Sequence, residues 1–235
     1  MKIVIINGTG IKGCTYQLKE LFLNAVNNGN EITEFVLPKE LPEFCCGCKN
    51  CFLKGEDTCP HTEYTLPIWN AIMQADLIVF TYPVYALRAP GSIKTLLDHF
   101  CVHWIVHRPK KEMFSKRVAI LTNSIGAPNG AAQKDVATSF SWLGVSDIKK
   151  LGFGLMEDVF WDKISEKRRA KMRAKTERFA NKCLRRPVRK SSLKVKAFFL
   201  LSKIIHQSGY KKELAQGKEP LLDNKYWAQK GWIKG

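Results

Sequence analysis

The first segment with residues suited to chemistry is the glycine-rich stretch at 7–18, NGTGIKGCTYQL. Gly8, Gly10 and Gly13 give it the G-x-G-x-x-G spacing of loops that bring a dinucleotide pyrophosphate against a helix N-terminus. A dinucleotide loop also needs an acidic residue at the end of the second strand to hold a ribose. Here Glu34 falls in the middle of the predicted second strand, so that partner is missing or misplaced.

Two threonines favour a different phosphate for this loop. Thr9 precedes the turn and Thr15 begins the predicted first helix, so both hydroxyls lie beside backbone N–H groups at the positive end of a helix dipole. Hydroxyls together with amides suit a terminal phosphate monoester. The alternative interpretation is a glycine turn that only links a strand to a helix.

A second candidate binding segment, TYPVYA, runs from Thr81 to Ala86 at the end of an apolar strand pattern. Pro83 fixes the backbone of this turn, and the turn carries the two aromatic side chains Tyr82 and Tyr85. Backbone amides and a tyrosine can support a flat aromatic ring whose edge carries hydrogen-bonding atoms. The alternative is ordinary packing of the two tyrosines.

Five of the eight cysteines crowd into one short segment. Cys45, Cys48, Cys51 and Cys59 follow a C-x2-C-x2-C-x7-C spacing, with Cys46 as a fifth thiol. Three ligands on a tight turn can face one iron–sulfur cubane while a fourth closes it. Four thiols can also bind zinc, or lie reduced and metal-free at a subunit interface. The spacing leaves these three interpretations open.

The other potential metal ligands are not expected to form sites. His99, His103 and His107 repeat every four residues along a predicted helix, but they span about 12 Å, which is too far for one ion. We expect them to form a polar stripe on an interfacial or exposed helix face. Three further cysteines are expected to be buried small side chains or bystanders: Cys14, Cys101 and Cys183.

The elements that would position these residues alternate between strand and helix. Apolar, β-branched runs predict five strands: Lys2–Ile6, Ile32–Leu37, Leu77–Thr81, Arg117–Thr122 and, more weakly, Ile148–Leu155. Helical periodicity predicts helices at Thr15–Asn27, Leu66–Gln74, Ser92–His107, Gly130–Leu143 and Asp162–Leu184. This alternation predicts a doubly wound α/β fold with a parallel sheet and a ligand site outside the carboxyl ends of its strands.

From residue 2 to residue 155 the chain resembles the flavodoxin-like NAD(P)H-dependent FMN reductases, including their iron–sulfur flavoprotein branch. Four segments in order carry the resemblance: IINGTGIKGCTYQL, CCGCKNC followed by Cys59, ADLIVFTYPVY and APGSIKTLLDHF. They are similar to the family's phosphate loop, cysteine loop, flavin-ring strand and loop, and following helix. The resemblance implies a flavodoxin-like five-stranded parallel sheet in the order 2-1-3-4-5.

The same resemblance implies FMN as the cofactor and NAD(P)H as the electron donor. It assigns the FMN phosphate to Thr9, Gly10, Lys12, Gly13, Cys14 and Thr15, and the flavin ring to Pro83, Val84, Tyr85, Ala86, Asn123, Ser124 and Gly126. The family often places an arginine where Ile11 stands, and Lys12 is the candidate to supply that charge here.

Charge is concentrated in the last third of the chain. The 235 residues carry a net charge of +17, and residues 162–235 alone hold 22 Lys and Arg against 6 Asp and Glu. Residues 1–161 are near neutral. The positive charge of the chain therefore bears on what its carboxyl-terminal part contacts. The amino terminus, MKIVIINGTG, fits neither a secretory signal nor a membrane span, and the crowded cysteines favour a reducing compartment, so we expect a cytoplasmic protein.

The predicted organisation is an FMN-binding domain at 1–186 and a basic, apolar helical extension at 187–235. In its segment at 193–205, LKVKAFFLLSKII, Lys196 and Lys203 lie opposite an apolar arc that Lys194 interrupts. The arc consists of Leu193, Ala197, Leu200, Leu201, Ile204 and Ile205. We expect this arc to cover the domain's own surface or a partner subunit. The alternative is a helix in an anionic membrane interface, followed by the aromatic residues Tyr226, Trp227 and Trp232.

These features predict an oxidoreductase that accepts hydride from NAD(P)H on FMN and reduces a quinone, flavin or other small acceptor, as a homodimer or higher homo-oligomer. The flavin supplies the chemistry, so no catalytic side chain is predicted. One alternative is an electron carrier with FMN and an iron–sulfur cluster of the 4Fe-4S type on Cys45, Cys48, Cys51 and Cys59. Another is a cationic membrane- or nucleic-acid-associated binding protein. The sequence lacks groove-reading motifs and an aromatic–basic platform, so no nucleic-acid partner is expected.

Overall fold

A five-stranded parallel sheet forms the centre of the molecule, as the sequence predicts. The computed structural model describes residues 1–156, 160–184 and 191–235. The strand order is β2-β1-β3-β4-β5. The strands are β1 (Lys2–Asn7), β2 (Glu31–Val36), β3 (Leu77–Pro83), β4 (Arg117–Ser124) and β5 (Asp147–Gly154).

Helices cover both faces of the sheet. They are α1 (Cys14–Val26), α2 (Leu37–Glu40), α3 (Asn50–Leu53), α4 (Thr62–Gln74), α5 (Gly91–His99), α6 (Gly130–Trp142), α7 (Glu166–Leu184), α8 (Leu193–Ala215) and α9 (Leu222–Gln229). Short 3-10 turns lie at Glu56–Thr58, Cys101–His103, Lys111–Ser115 and Trp161–Lys163. Helices α1 and α7 pack on one face of the sheet, and α4, α5 and α6 pack on the other.

The nearly continuous apolar character of β1, β3 and β4 has a direct structural cause. These three strands lie in the middle of the sheet, and almost all of their residues are buried because helices cover both sides. Burying such strands on both faces is the main hydrophobic stabilisation of the domain. The edge strand β2 is only half-buried, which explains its alternation of polar and apolar residues.

Three helix boundaries differ from the predicted ones by four residues or more. Helix α4 begins at Thr62, four residues before the predicted start, and α7 begins at Glu166 because the preceding residues form a 3-10 turn. Helix α5 ends at His99 and does not reach His107. After His99 the chain turns inward, where Ile105 is buried and its N–H donates to the Trp142 carbonyl at 2.7 Å.

The carboxyl-terminal helices are fastened to the α/β domain by aromatic side chains. The Trp227 indole is buried and donates to the His107 carbonyl at 2.6 Å, and the Tyr226 hydroxyl donates to the Pro109 carbonyl at 2.6 Å. Trp227 and Trp232 pack against each other with ring centroids 5.0 Å apart. The interpretation of these three aromatics as membrane-interface anchors is therefore wrong. The predicted domain boundary between residues 186 and 187 lies outside the described residues.

The expectation that the apolar arc of α8 covers the domain's own surface is also wrong. Val195, Ser202 and His206 are the buried residues of this helix, while the large residues of the arc are exposed. Phe198 stacks on Trp142, with ring centroids 3.9 Å apart, so the side of α8 that carries its phenylalanines faces the domain. Among the described residues, no helix combines the length and apolarity needed to cross a bilayer.

Candidate functional site

Three loops meet at the carboxyl edge of the sheet, where the sequence analysis places the binding residues. The phosphate loop follows β1, the ring loop follows β3, and a third loop follows β4. The Val84 N–H donates to the Asn123 carbonyl at 2.8 Å, which joins the ring loop to the end of β4. The Thr15 hydroxyl donates to the Asn123 side-chain carbonyl, which joins the start of α1 to the same residue. Asn123 therefore connects the ends of the phosphate loop and the ring loop to the end of β4.

The phosphate loop leaves backbone donors available at the start of α1. Gly13 is the N-cap residue, so no side chain occupies the capping position of this helix. A cavity of about 140 Å³ opens beside it, and its lining includes Thr9, Gly10, Lys12 and Thr15. The helix N-terminus and the Lys12 ammonium both favour an anion in this cavity. Because Thr15 donates to Asn123, its hydroxyl also serves to position the end of β4.

Glu34 lines the same cavity, and one of its carboxylate oxygens has two partners. The Lys19 ammonium donates to its carboxylate at 2.5 Å, and the Asn7 amide donates to the same oxygen at 2.8 Å. Burial opposes the charge on Lys19, but hydrogen bonds to Glu34 and Glu20 outweigh it and raise the pKa of the lysine. Glu34 lies within β2 and not at its end, as predicted, and its carboxylate pairs with Lys19 and Asn7.

The ring loop separates its two tyrosines into different roles. Tyr82 is buried and its hydroxyl donates to the Ala132 carbonyl at 3.0 Å, so this residue is part of the packing. Burial raises the pKa of the Tyr82 hydroxyl. Tyr85 is exposed, and Ala86 and Leu87 adopt left-handed backbone angles, with φ of 46° and 63°. Non-glycine residues rarely adopt these angles, and such strain is concentrated at binding sites.

Exposed apolar side chains surround these loops, and the sequence analysis did not identify them as a group. Ile11 follows β1, Leu87 follows β3, Ile125 follows β4 and Met156 follows β5. We call these four residues the apolar rim. Gly126 lies within this rim at φ 76°, and the Met156 sulfur is 3.2 Å from the place a side chain at Gly126 would occupy. Exposed apolar groups of this kind mark ligand or partner contacts.

The cysteine segment lines a separate cavity of about 670 Å³. The predicted ligands Cys45, Cys48, Cys51 and Cys59 all line it, as do Cys46 and Cys101. Burial, together with the neighbouring thiols Cys59 and Cys45, raises the pKa of Cys51. Cys14 and Cys183 are buried elsewhere, as expected, whereas Cys101 is half-buried in the cavity wall.

Two histidines in this cavity add metal-ligating atoms that the sequence analysis missed. The ligand atoms of Cys59, His61 and His99 all lie within 4.8 Å of one another. The His61 Nδ1 and His99 Nε2 atoms are 3.1 Å apart, and the His99 Nδ1 is 2.9 Å from the Thr95 carbonyl. Because that carbonyl can only accept, His99 carries its proton on Nδ1 and presents a lone pair on Nε2. This set suits one mononuclear ion, whereas the four cysteines suit a cluster.

The three histidines do not form the predicted polar stripe on an interfacial or exposed helix face, because only His99 belongs to the helix. His99 and His103 are buried, because the helix ends at His99 and the chain turns inward. The His103 ring stacks on Trp69 with centroids 3.8 Å apart, and burial lowers the pKa of His103 to about 3. His107 contacts the carboxylate of Asp223 at 2.8 Å.

A buried arginine joins the cysteine segment to α9. The Arg108 guanidinium contacts Glu56 at 3.3 Å and Asp223 at 2.5 Å, and it donates to the Cys51 and Phe52 carbonyls. Burial opposes the charge of Glu56, but Arg108 and Lys110 outweigh it and lower the pKa of that carboxyl. We call this network the Arg108 latch. Its partners lie more than 50 residues away on either side, so no local pattern could predict it.

Comparison with protein families decides which kind of α/β protein carries this site. Residues 1–158 match the model of the NADPH-dependent FMN reductases. The chain belongs to this family. The match includes all three loops at the carboxyl edge of the sheet and the whole cysteine segment. The family places the chain among the FMN-dependent oxidoreductases that use a nicotinamide donor, as the sequence predicts.

Individual relatives agree with this assignment. The chain is 23% identical over 168 residues to an iron–sulfur flavoprotein of Methanocaldococcus jannaschii, covering 69% of this chain and 83% of the relative. Its fold is similar to an FMN-dependent NADH-azoreductase from Bacillus anthracis in complex with FMN, at 14% identity and TM-score 0.61, covering 78% and 99% of the two chains. It is also similar to an NAD(P)H:quinone oxidoreductase from Methanothermobacter marburgensis, at 13% identity and TM-score 0.60, covering 80% and 98%.

The residues present at the carboxyl edge fit FMN. The phosphate loop offers a helix N-terminus with no capping side chain and a cavity of about 140 Å³ beside it. The ring loop and the loop after β4 add a strained turn and exposed apolar side chains beside that cavity. A phosphate monoester at one end and a flat ring at the other match these two halves.

Proposed function

We propose that this chain transfers electrons from NAD(P)H through FMN to a small acceptor such as a quinone or a free flavin. The observation that supports the proposal most directly is the connection of the phosphate loop, the ring loop and the end of β4 through Asn123. It allows one ligand to contact a phosphate site and a ring site held in fixed relative positions. The bound flavin supplies the hydride and electron transfer chemistry.

The protein's own residues bind and orient in this proposal. Backbone N–H groups at Gly13–Thr15, with Thr9 and Lys12, hold the phosphate. The turn at Pro83–Ala86 supports the ring, and Asn123, Ser124 and Gly126 contact its edge. No side chain is required to move a proton. The acceptor reaches the ring at the exposed loops after β3 and β4.

Stopped-flow reduction of the reconstituted protein tests the proposal. With FMN bound under anaerobic conditions, NADH or NADPH should bleach the flavin absorbance, and a quinone added afterwards should restore it. Failure of both nucleotides at millimolar concentration would contradict the proposal. Asn123→Ala should weaken FMN binding at least tenfold, about 1.4 kcal/mol, because it disconnects the loops. Thr33→Ala, an exposed threonine on β2, is the control and should bind FMN normally.

The second candidate function is electron transfer through an iron–sulfur cluster on the cysteine segment. Two observations favour it: the four predicted cysteine ligands line one cavity, and the relative from M. jannaschii is named an iron–sulfur flavoprotein. Helix α5 runs from the ring loop to this cavity, so the two sites are separated by about 13 Å of helix.

Metal analysis after anaerobic purification separates the cluster from a zinc site. A cluster should give about four iron and four sulfide per chain, and Cys48→Ser should abolish it. Cys46→Ser, at the adjacent thiol outside the C-x2-C spacing, is the matched control and should retain the iron. A zinc site on Cys59, His61 and His99 would instead lose its metal in His61→Ala. Less than one iron per chain in the unmodified protein would leave the oxidoreductase proposal as the one to keep.

We also propose that the chain forms a homodimer or higher homo-oligomer through the apolar rim. Its four exposed side chains border the proposed flavin site, and a second copy would remove them from water. The partner would then complete the wall of the flavin site.

A further inference from the structure

Helix α8 carries an apolar face that nothing in the described chain covers. Its large side chains are between 53% and 85% exposed: Leu193, Leu200, Leu201, Ile204 and Ile205. We call these residues the outer face of α8. At about 100° per residue they lie opposite the buried residues Val195, Ser202 and His206. Five large aliphatic side chains on one exposed face are unusual for a surface helix, whose outward side is normally polar.

The inner side of α8 is firmly attached, so the outer face cannot simply rotate inward. Phe198 stacks flat on Trp142, and Phe199 packs against Trp227 with centroids 5.1 Å apart. His206 hydrogen-bonds the Val106 carbonyl at 3.0 Å and the Asn224 side chain at 2.7 Å. These contacts occupy the aromatic and polar residues of the helix. The aliphatic residues are left toward solvent.

Lysines accompany the outer face. Lys196 and Lys203 lie beyond one edge of it, whereas Lys194 and Lys212 lie within it, between Leu201 and Ile205, and all four are exposed. Glu213 is the one acidic residue of Leu193–Ala215, and it is directed inward, where it accepts hydrogen bonds from Asn224 and Leu221. The outer face therefore presents apolar residues and positive charge without a carboxylate.

We propose that the outer face of α8 docks on an anionic lipid surface, with the helix lying parallel to the membrane plane. An apolar face with lysines beside it and within it matches such an interface, because the aliphatic groups enter the acyl region while the long lysine side chains extend their ammonium groups to the anionic headgroups. A second copy of the chain is a poor occupant of the same face, because it would bring lysines against lysines. Residues 162–235 carry a net charge of +16, which extends the attraction beyond the helix itself.

Cosedimentation of the full-length protein with vesicles tests this proposal. At low salt the protein should bind vesicles of phosphatidylglycerol and phosphatidylcholine, and it should remain in the supernatant with phosphatidylcholine alone. Binding should weaken steeply as salt screens the lysines. Equal binding to both vesicle types, or no binding to either, would overturn the proposal.

Two matched pairs of variants locate the contact. Leu200→Ser combined with Ile204→Ser should weaken binding at least tenfold, because both residues would enter the acyl region. Leu53→Ser, at an equally exposed leucine on α3, should bind as the unmodified protein does. All three positions are exposed, so the fold should persist, and circular dichroism checks this.

The second pair of variants replaces lysines by glutamates. Lys196→Glu with Lys203→Glu should abolish binding, whereas Lys171→Glu with Lys175→Glu, at exposed lysines of α7, should weaken it much less. If both pairs reduce binding equally, net charge alone attracts the protein and the assignment to α8 is overturned. Light scattering provides a further arm: if the leucine–isoleucine variant halves the mass of the particle, the outer face joins two copies and the membrane proposal fails.

Discussion

Gly8 allows the phosphate loop and α5 to approach each other closely. A methyl group at this position would lie 2.7 Å from Cγ1 of Ile93 and 2.8 Å from Cβ of Tyr82. Neither atom can move freely, since Ile93 and Tyr82 are both buried and Ser92 also donates to the Gly8 carbonyl at 2.8 Å. The absence of a side chain at Gly8 therefore sets the distance between the phosphate loop and the helix that follows the ring loop.

The substitution Gly8→Ala should lower the free energy of unfolding of the FMN-free protein by about 2 kcal/mol, because the methyl group overpacks this contact. Gly10→Ala is the matched control. Its methyl group would meet only Val36 at an ordinary 3.6 Å, so we expect a change below about 0.5 kcal/mol. Urea unfolding of both variants measures the difference, and equal stabilities would contradict the close approach.

His103 should make the protein less stable in acid. Burial lowers the pKa of His103 to about 3, while the unfolded imidazole titrates near about 6.5. Between these values the unfolded chain binds the proton and the folded chain does not, so stability present above pH 6.5 is lost as the pH falls. At pH 5 the loss from this residue is about 2 kcal/mol.

The comparison of His103→Phe with the unmodified protein isolates this contribution. Phenylalanine retains the stacking on Trp69 but cannot titrate, so the variant should lose about 2 kcal/mol less between pH 7.5 and pH 5. Lys110 and Arg108 are present in both proteins, and Glu56, 3.6 Å from His103 Nδ1, stays ionised in both between pH 7.5 and pH 5 because Arg108 and Lys110 lower its pKa. Parallel curves of stability against pH would show that His103 is not buried as described.

The Arg108 latch holds a whole helix, α9, against the cysteine segment. Asp223→Ala removes the 2.5 Å contact with Arg108 and the 2.8 Å contact with His107, and it leaves Arg108 with one carboxylate partner, so it should cost about 2 kcal/mol of stability. Glu219→Gln removes a surface contact with Lys225 and is the control, with an expected change below about 0.5 kcal/mol. Thermal unfolding measures both.

The latch also has an effect that stability alone does not report. Arg108 donates to the Cys51 carbonyl, so its displacement should loosen the cysteine segment. The Asp223→Ala variant should therefore react faster with a thiol reagent at Cys51, measured by mass spectrometry of labelled peptides. Unchanged labelling of Cys51 would show that the Arg108 latch does not restrain the cysteine segment.

The sheet can be predicted well from the sequence because each strand is recognised from its own residues. Each buried strand is a short apolar run, and the helices between them follow from periodicity, so neither requires knowledge of distant residues. Helix α8 shows where this fails. It has apolar residues on two sides, and periodicity selected the aliphatic arc, whereas the fold buries the side with Phe198 and Phe199 because Trp142 and Trp227 provide aromatic partners for it.

The same distinction applies to the candidate sites of the whole molecule. The phosphate loop, the ring loop and the cysteine segment are contiguous motifs, so they can be recognised from the sequence alone. His61 and His99 are 38 residues apart, and Arg108 and Asp223 are 115 residues apart, so only the folded chain brings these pairs together. The apolar rim is likewise assembled from four separate loops.

Assembly provides a prediction at the scale of the whole molecule. Light scattering should report at least twice the chain mass of 26.8 kDa. The double variant Leu87→Lys and Ile125→Lys should reduce it to the single-chain mass, because lysines would face each other across the proposed contact. Leu200→Ser, on the outer face of α8, is the control and should leave the mass unchanged. A monomeric unmodified protein would contradict the proposal of a homo-oligomer.

The distance along the chain between Arg108 and Asp223 has a consequence for biosynthesis. A ribosome adds about 5–20 residues per second. The cysteine segment and Arg108 therefore emerge before the Asp223 that completes the Arg108 latch, and the 115 intervening residues take about 6–23 s to translate. Cys45, Cys46 and Cys48 are exposed even in the folded chain, whereas the backbone of Cys51 is held by Arg108. We expect Cys51 to react with metal donors and oxidants most readily in this period, before the last helix docks.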